Sequence, residues 1–305
     1  MNRENGQHKT IRITADSACD LLPEWESAYG IGVIRHTIHT QEGVFEDGSE
    51  IDSDGLCEYL RNSERNAGSA HPGREAFERF FEEQLKSADE ILHVSVAKQT
   101  SRSYGMAAKA KERFPEVRLF DTGDMAGGAG LFVLYAAHLA RQGNDAEAVT
   151  EALIRFKEEI RSTYALRVTS YLQRGGRMSP FLSGLLTAFL LHPLIVMKHD
   201  RMNFRFTWSA HYREDYIRRT LKRAKHIDPS LLIISHAALP EEELAWIRKE
   251  VLRYRQFDRV ICVPASAAVT ANLGEGTFGL VFRETAPDKA MSRLFDFLPL
   301  GEEYA

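Results

Sequence analysis

Cysteine is scarce in this chain of 305 residues: Cys19, Cys57 and Cys262 stand far apart and form no CxxC pair. That spacing excludes a disulfide framework and a thiolate metal site, and a reducing cytoplasm fits it best. A surplus of one charge is also missing, because 39 basic residues face 43 acidic ones. General nucleic-acid binders and binders of anionic membranes carry a basic excess, so neither partner is expected. The longest uncharged apolar run, Phe181 to Met197, contains His192 and Pro193. It falls short of the ~20 residues a spanning helix requires, which argues against stable membrane insertion and for a buried segment. Residues 1–10 are polar and have no apolar h-region, so they read as a disordered tail rather than a secretory leader.

What is present is the material of a folded core. With 44% of its residues hydrophobic, the chain has the length of about two domains of ~150 residues. Ile11 to Ala15 alternates and meets Asp16-Ser17, the pattern of a strand running into a polar loop. Val33 to His39 reads as a second strand, followed by an Asp47-Gly48 turn and helices at Asp54 to Ser63 and Gly73 to Ser87. Phe77, Phe80, Phe81 and Leu85 share one face of the latter at helical spacing. Strands at Ile91 to Val96 and Val117 to Phe120 alternate with helices at Arg102 to Arg113 and Met125 to Arg141. This β-α order predicts a doubly wound, mostly parallel sheet. A helix over Asp145 to Arg161 leads into a strand at Tyr164 to Val168, where a second α/β unit begins. The expectation is two α/β domains with mostly parallel sheets, residues 11–162 and 163–305, sharing a cleft.

Motifs with a familiar outline lose it in context. Gly274-Glu275-Gly276-Thr277-Phe278-Gly279 satisfies GxGxxG, but a strand-like Leu280-Val281-Phe282 follows where a dinucleotide site needs a helix. It reads as a turn or as a loop bringing backbone close to a ligand. Gly123 to Gly130 lies between a strand and a helix yet lacks the Gly-Lys-Ser/Thr ending of a phosphate loop. Its glycines are more simply the means of packing that helix tightly on a sheet. There is no HExxH, and neither a serine nucleophile elbow nor a Cys/His signature appears, so no metal and no cofactor is expected. His71, His192 and His236 read as structural histidines, and the basic run Arg218 to Lys225 as a solvated helix face.

One convergence remains. Ligands of parallel α/β sheets bind beyond the carboxyl ends of the strands, and those ends carry Asp16-Ser17, Thr100-Ser101-Arg102-Ser103 and Asp121-Thr122, with Ser69 in a nearby loop. Hydroxyls and helix amides hold a carboxylate without neutralising it. The competing reading makes each of them an N-cap or turn residue.

At these residues the sequence resembles the DegV family of bacterial fatty-acid-binding proteins, from about Ile11 to Phe282. Ala15-Asp16-Ser17 with Asp20-Leu21 is similar to the family's opening TDS…DL, and Glu46-Asp47-Gly48 to its DG turn. Ser101 to Tyr104 is similar to SGTY, and Asp121-Thr122 to DS. Tyr171 to Ser179, containing Arg174, Gly175, Gly176 and Arg177, is close to YLxRGGRIS. His192-Pro193 resembles KPIL, and Asn272-Leu273-Gly274-Glu275-Gly276 resembles HxGxG. The resemblance implies a long-chain fatty acid enclosed between two domains, with the carboxylate contacted by Ser69, Ser101 and Asn272. It further implies a non-catalytic carrier that hands this carboxylate to a separate ATP-binding kinase subunit. Against the family pattern, Ala97-Lys98 stands in place of a serine pair, and Asn272 in place of a histidine. Lys98 reads as a surface lysine or as a partner of the carboxylate.

Within the Phe181 to Met197 run, Leu182, Leu185, Leu186, Phe189 and Leu190 repeat at helical spacing. They are candidates for a wall of the acyl tunnel, with ordinary core as the competing reading. Two other functions stay open: a small hydrolase or phosphotransferase using Asp16, Ser17 and Asp121, and a binder of a different apolar ligand.

Overall fold

In the computed structural model, residues 9–62, 65–167, 179, 191–198, 200–285, 295 and 298 are described. The Arg174-Gly175-Gly176-Arg177 loop and the apolar positions Leu182, Leu185, Leu186, Phe189 and Leu190 lie outside them, as does residue 1–8 of the expected tail.

The first sheet forms where helices return the chain to the same edge. Strand β1 (Ile11–Asp16) is followed by α1 (Pro23–Tyr29), which starts on a proline and ends at Gly30 with φ 62°, and then by β2 (Gly32–Ile34). Helix α3 (Arg74–Leu85) precedes β6 (Glu90–Ser95), and α4 (Ser103–Lys111) joins β6 to β7 (Val117–Asp121). The strand order is β2-β1-β6-β7, and every pair is parallel. Phe77 and Phe81, one helical turn apart on α3, are fully buried against Ile91 and Val117. Burial of each such ring contributes about 1.5–3 kcal/mol.

Helix α5 (Ala126–Arg141) lies between this sheet and a second one. Its core cluster takes Ile13, Leu92 and Phe120 from the first sheet and Ile233, Val263 and Val281 from the second. Glycine permits the approach. A Cβ on Gly130 would stand 2.5 Å from the Cys19 carbonyl oxygen, and one on Gly127 would press on Ser235 and Ile233 at 3.2 and 3.3 Å. The glycine-rich stretch therefore packs a helix on both sides, as its sequence suggested.

The second sheet runs β10-β9-β8-β13-β11-β12. Its strands are β8 (Ile160–Ala165), β9 (His192–Lys198), β10 (Arg201–Thr207), β11 (Ile227–His236), β12 (Val260–Pro264) and β13 (Phe278–Glu284). It is mixed: only β11 and β12 pair in parallel. Those two are neighbours joined by a single helix (Glu241–Tyr254), the connection that parallel pairing needs, whereas β9 and β10 form a hairpin and β13 inserts antiparallel to both its neighbours. The expectation of mostly parallel pairing thus holds for the first sheet and gives way to mixed pairing in the second. Helix α6 (Ala146–Lys157) stops short of Arg161, so β8 starts earlier than expected and Ser162 lies inside it.

A third, antiparallel sheet, β4-β3-β5, consists of β3 (Thr37–Thr40), β4 (Val44–Glu46) and β5 (Ala67–Ala70). The single strand expected over Val33 to His39 is therefore two strands in two sheets. A late helix, Ala267–Leu273, docks on this third sheet through Ala267, Ala268 and Ala271, packed with Ile38 and with Leu56 of α2 (Ser53–Leu60). Among the described residues no helix is long and apolar enough to cross a membrane.

Candidate functional site

In the first sheet β2 lies on one side of β1 and β6 on the other, so the winding reverses between β1 and β6. Such a switch point leaves a crevice beyond the strands' carboxyl ends, where open α/β sheets bind their ligands. A cavity of about 870 Å³ occupies that place. Ala18 follows β1, Val96 and Lys98 to Arg102 follow β6, and Ala67 to His71 come from β5 and the residue after it. Ala268, Val269, Ala271, Asn272 and Leu273 come from the late helix, with Met125 and Met202 completing an apolar part of the wall. The size suits a small-molecule ligand, for which about 300–1,000 Å³ is usual.

The three residues proposed for a carboxylate, Ser69, Ser101 and Asn272, all line this cavity. Asn272 and Ser69 are 203 positions apart, yet the Asn272 Nδ2 donates to Ser69 Oγ at 2.8 Å. The same amide donates to the Ala268 carbonyl at 2.7 Å, one turn back on its helix, which fixes its orientation. Ser101 Oγ accepts the Ser103 amide, the first of α4, at 3.1 Å. The bonds to Ser69 and Ser101 use an oxygen lone pair of each serine and not its hydroxyl hydrogen. The Ser101 loop is shaped by buried Ala97, whose carbonyl accepts the amides of Thr100 and Ser101 and the Thr100 hydroxyl.

Behind the wall stand buried aspartates. Asp16 is fully buried; its Oδ2 accepts Ser95 Oγ at 2.7 Å and the Val96 amide at 3.1 Å, and its Oδ1 accepts Ser103 Oγ. Burial pushes this carboxyl up, but His93 and His36 with the Ser103 and Ser95 hydroxyls outweigh it and hold it below the usual range. Asp20 Oδ1 accepts the Ser266 amide at 2.8 Å at the start of the late helix, and burial raises its carboxyl well above normal. Asp47, raised by burial against a Ser17 hydrogen bond, also accepts the Ala268 amide at 3.2 Å. Asp124, after β7, accepts the Met125 amide at 2.8 Å and Ser162 Oγ at 2.6 Å; burial pushes its carboxyl up to about 7.

Ser17, His36 and Asp47 sit together, but not as a nucleophilic triad. Ser17 Oγ donates to Asp47 Oδ2 at 2.6 Å, while His36 Nδ1 lies 3.3 Å from Ser17 Oγ and burial depresses its imidazole. In a triad the serine hydrogen goes to the imidazole and the carboxylate orients the other ring nitrogen. Asp16, Ser17 and Asp121 are not among the residues that line the cavity. The DS…DL and DG residues are instead struts: they tie the end of β1 to β6, to α4 and to the late helix.

Gly274 and Gly276, with φ of 87° and 78°, turn the chain from the late helix towards β13. They form the structural turn that was one reading of the GxGxxG run. His71, read from sequence as a structural histidine, lines the cavity, and so does His36. Only the closeness of His71 to the Ser69 segment could have signalled it. Among the described residues no group of three or more His, Cys, Asp and Glu is arranged to hold a metal ion.

A mixed α/β fold with a donor-lined cavity at its switch point has the architecture of a small-molecule binder. The family model described as "uncharacterised protein, DegV family" matches residues 10–285, and the chain belongs to the DegV family. A DegV domain-containing protein of Deinococcus radiodurans is 28% identical over 198 residues, which cover 64% of this chain and 69% of that protein. A DegV family protein from Thermus thermophilus, solved in a study of its fatty acid binding, matches with a TM-score of 0.81 at 23% identity over 90% of this chain and 100% of its own. The Streptococcus pneumoniae fatty acid kinase (Fak) B3 protein, solved loaded with linoleic acid, matches with a TM-score of 0.76 at 19% identity, over 90% of this chain and 100% of that one.

Proposed function

We propose that the protein binds one long-chain fatty acid in this cavity and serves as its carrier, without catalysing a reaction itself. The observation that carries this reading is the meeting of Asn272 and Ser69 at 2.8 Å on a wall that also holds Ser101. The hydroxyl hydrogens of Ser69 and Ser101 suit a carboxylate, which keeps its charge and avoids a desolvation penalty, while Asn272 spends its two amide hydrogens on Ser69 and the Ala268 carbonyl and so holds Ser69 in place. The acyl chain supplies the affinity. At ~0.8 kcal/mol per methylene, a chain of ~14 contributes roughly 11 kcal/mol before ordering costs. Ala, Val, Met and Leu side chains on the wall accept it, methionine adapting to its shape. Ser69, Ser101 and Asn272 then set its orientation, carboxylate towards the strand ends. From there a cytoplasmic carrier presents the head group to a separate ATP-binding kinase subunit, as the likeness to the Fak B3 protein suggests.

The test is mass spectrometry of lipid released from the denatured protein, joined to a binding titration with hexadecanoic acid after delipidation. A stoichiometric fatty acid in the first and saturable binding in the second are expected. Preparations that carry no lipid and bind none overturn the reading, and a different co-purified lipid replaces it with the binder of another apolar ligand.

A further inference from the structure

The cavity wall is one-sided in charge. Its titratable side chains are His36, His71, Lys98 and Arg102, and among the described residues no Asp or Glu lines it. The chain as a whole carries more acids than bases, so this lining is not inherited from composition.

Lys98 is the placed cation of the set. Its backbone amide donates to Asp121 Oδ1 at 3.2 Å, which fixes its Cα at the rim. Its ammonium lies 3.5 Å from Asp121 Oδ2, with the lysine side chain 55% exposed and that of Asp121 11% exposed. So exposed a pair is weak, and a flexible four-carbon stem lets the ammonium serve a second anion. Asp121 is not part of the wall. Lys98 thus spans a carboxylate behind the rim and the space in front of it, in the same loop as Ser101.

Hydroxyl and amide donors by themselves separate an acid from a neutral lipid poorly, because an alcohol or ester oxygen accepts the same hydrogen bonds. A cation adds a charge-assisted bond that only an anion gains in full. Resting on the fatty-acid reading above, we propose that Lys98 is the residue by which this cavity selects long-chain acids over neutral long-chain lipids such as alcohols and esters.

The experiment measures binding of hexadecanoic acid, hexadecanol and methyl hexadecanoate to the delipidated protein and to Lys98→Met, Lys98→Arg and Arg102→Gln. Lys98→Met should weaken the acid about tenfold and leave the two neutral lipids unchanged, with Lys98→Arg close to the parent protein. Raising salt from about 0.05 to 0.5 M should weaken acid binding to the parent and leave Lys98→Met insensitive. Equal losses for all three lipids would make Lys98 a packing residue and overturn the assignment. So would an unaffected acid, or the whole effect appearing in Arg102→Gln instead. A parent protein that binds none of the three overturns the fatty-acid reading itself, whereas one that binds all three equally overturns only the role of Lys98.

Discussion

The two sides of the loops that close the parallel sheet are built from opposite chemistry. On the inner side Asp16, Asp20, Asp47 and Asp124 are buried and gather amide and hydroxyl donors. On the cavity side stand serine, asparagine, histidine, lysine and arginine, with no acid among the described lining residues. His36 belongs to both, lining the cavity while its backbone amide donates to Ser17 Oγ at 3.1 Å. The difference separates framework from reading surface: a buried carboxylate orients loops by collecting donors, and the donors left over face the ligand. Loss of an inner acid should therefore register in stability, and loss of an outer donor in binding.

The largest effect expected is that of Asp16→Ala. It leaves the Ser95 and Ser103 hydroxyls and the Val96 amide without their acceptor in a fully buried place. A loss of about 3–5 kcal/mol follows from that many orphaned donors, read as a shift of the denaturant midpoint. The Asp16 carboxyl is held below its ordinary value in the folded state. Its stabilising contribution is therefore complete above the unfolded value and is lost as pH falls through the folded one. An Asp16→Ala protein as stable as its parent would dissolve the distinction between the two sides.

Asp124 sharpens the comparison because its sign is reversed. Burial outweighs its two donors and the Lys157 charge, and its carboxyl rises to about 7 from 3.8. The unfolded chain releases this proton near 3.8, and the folded chain keeps it until about 7. Over that window the folded state binds more protons, so stability falls as pH rises through it and levels off above. Asp124→Asn removes the titration. Its stability relative to the parent should gain on the order of 2–4 kcal/mol between the two ends of the window. Denaturant midpoints across pH test this, and parallel curves for parent and variant would show that burial does not raise Asp124.

Much of this framework was legible locally, and most of its closure was not. Phe77 and Phe81 on one face of α3 announce their helix because burial imposes a period of one turn, whereas β1 alternates in composition although its last four residues are all buried. Val33 to His39 has the composition of one strand; that it serves two sheets depends on partners far along the chain. Ala67-Gly68-Ser69-Ala70 has little intrinsic strand preference and is a strand only because β3 pairs with it. The mixed second sheet was hidden for the same reason, since β13 takes its place between β8 and β11 from the far end of the chain. At the site, the convergence of hydroxyls at strand ends was readable from topology. The pairing of Ser69 with Asn272 came only through family resemblance, since no local pattern links residues so distant.

The smallest effect is the one that isolates the reading surface. Ser101→Ala removes a hydroxyl that lines the cavity and accepts the Ser103 amide at the start of α4. One partly buried hydrogen bond between neutral groups is lost, so stability should change by about 1 kcal/mol. Binding behaves differently. If Ser101 donates to a carboxylate, the acid should weaken about fivefold to tenfold, as for a hydrogen bond to a charged group, and the methyl ester about half as much in free energy. Titration of both lipids against parent and variant separates the two roles. Equal losses for acid and ester would place Ser101 with the struts, as a residue that shapes the loop and does not read the head group.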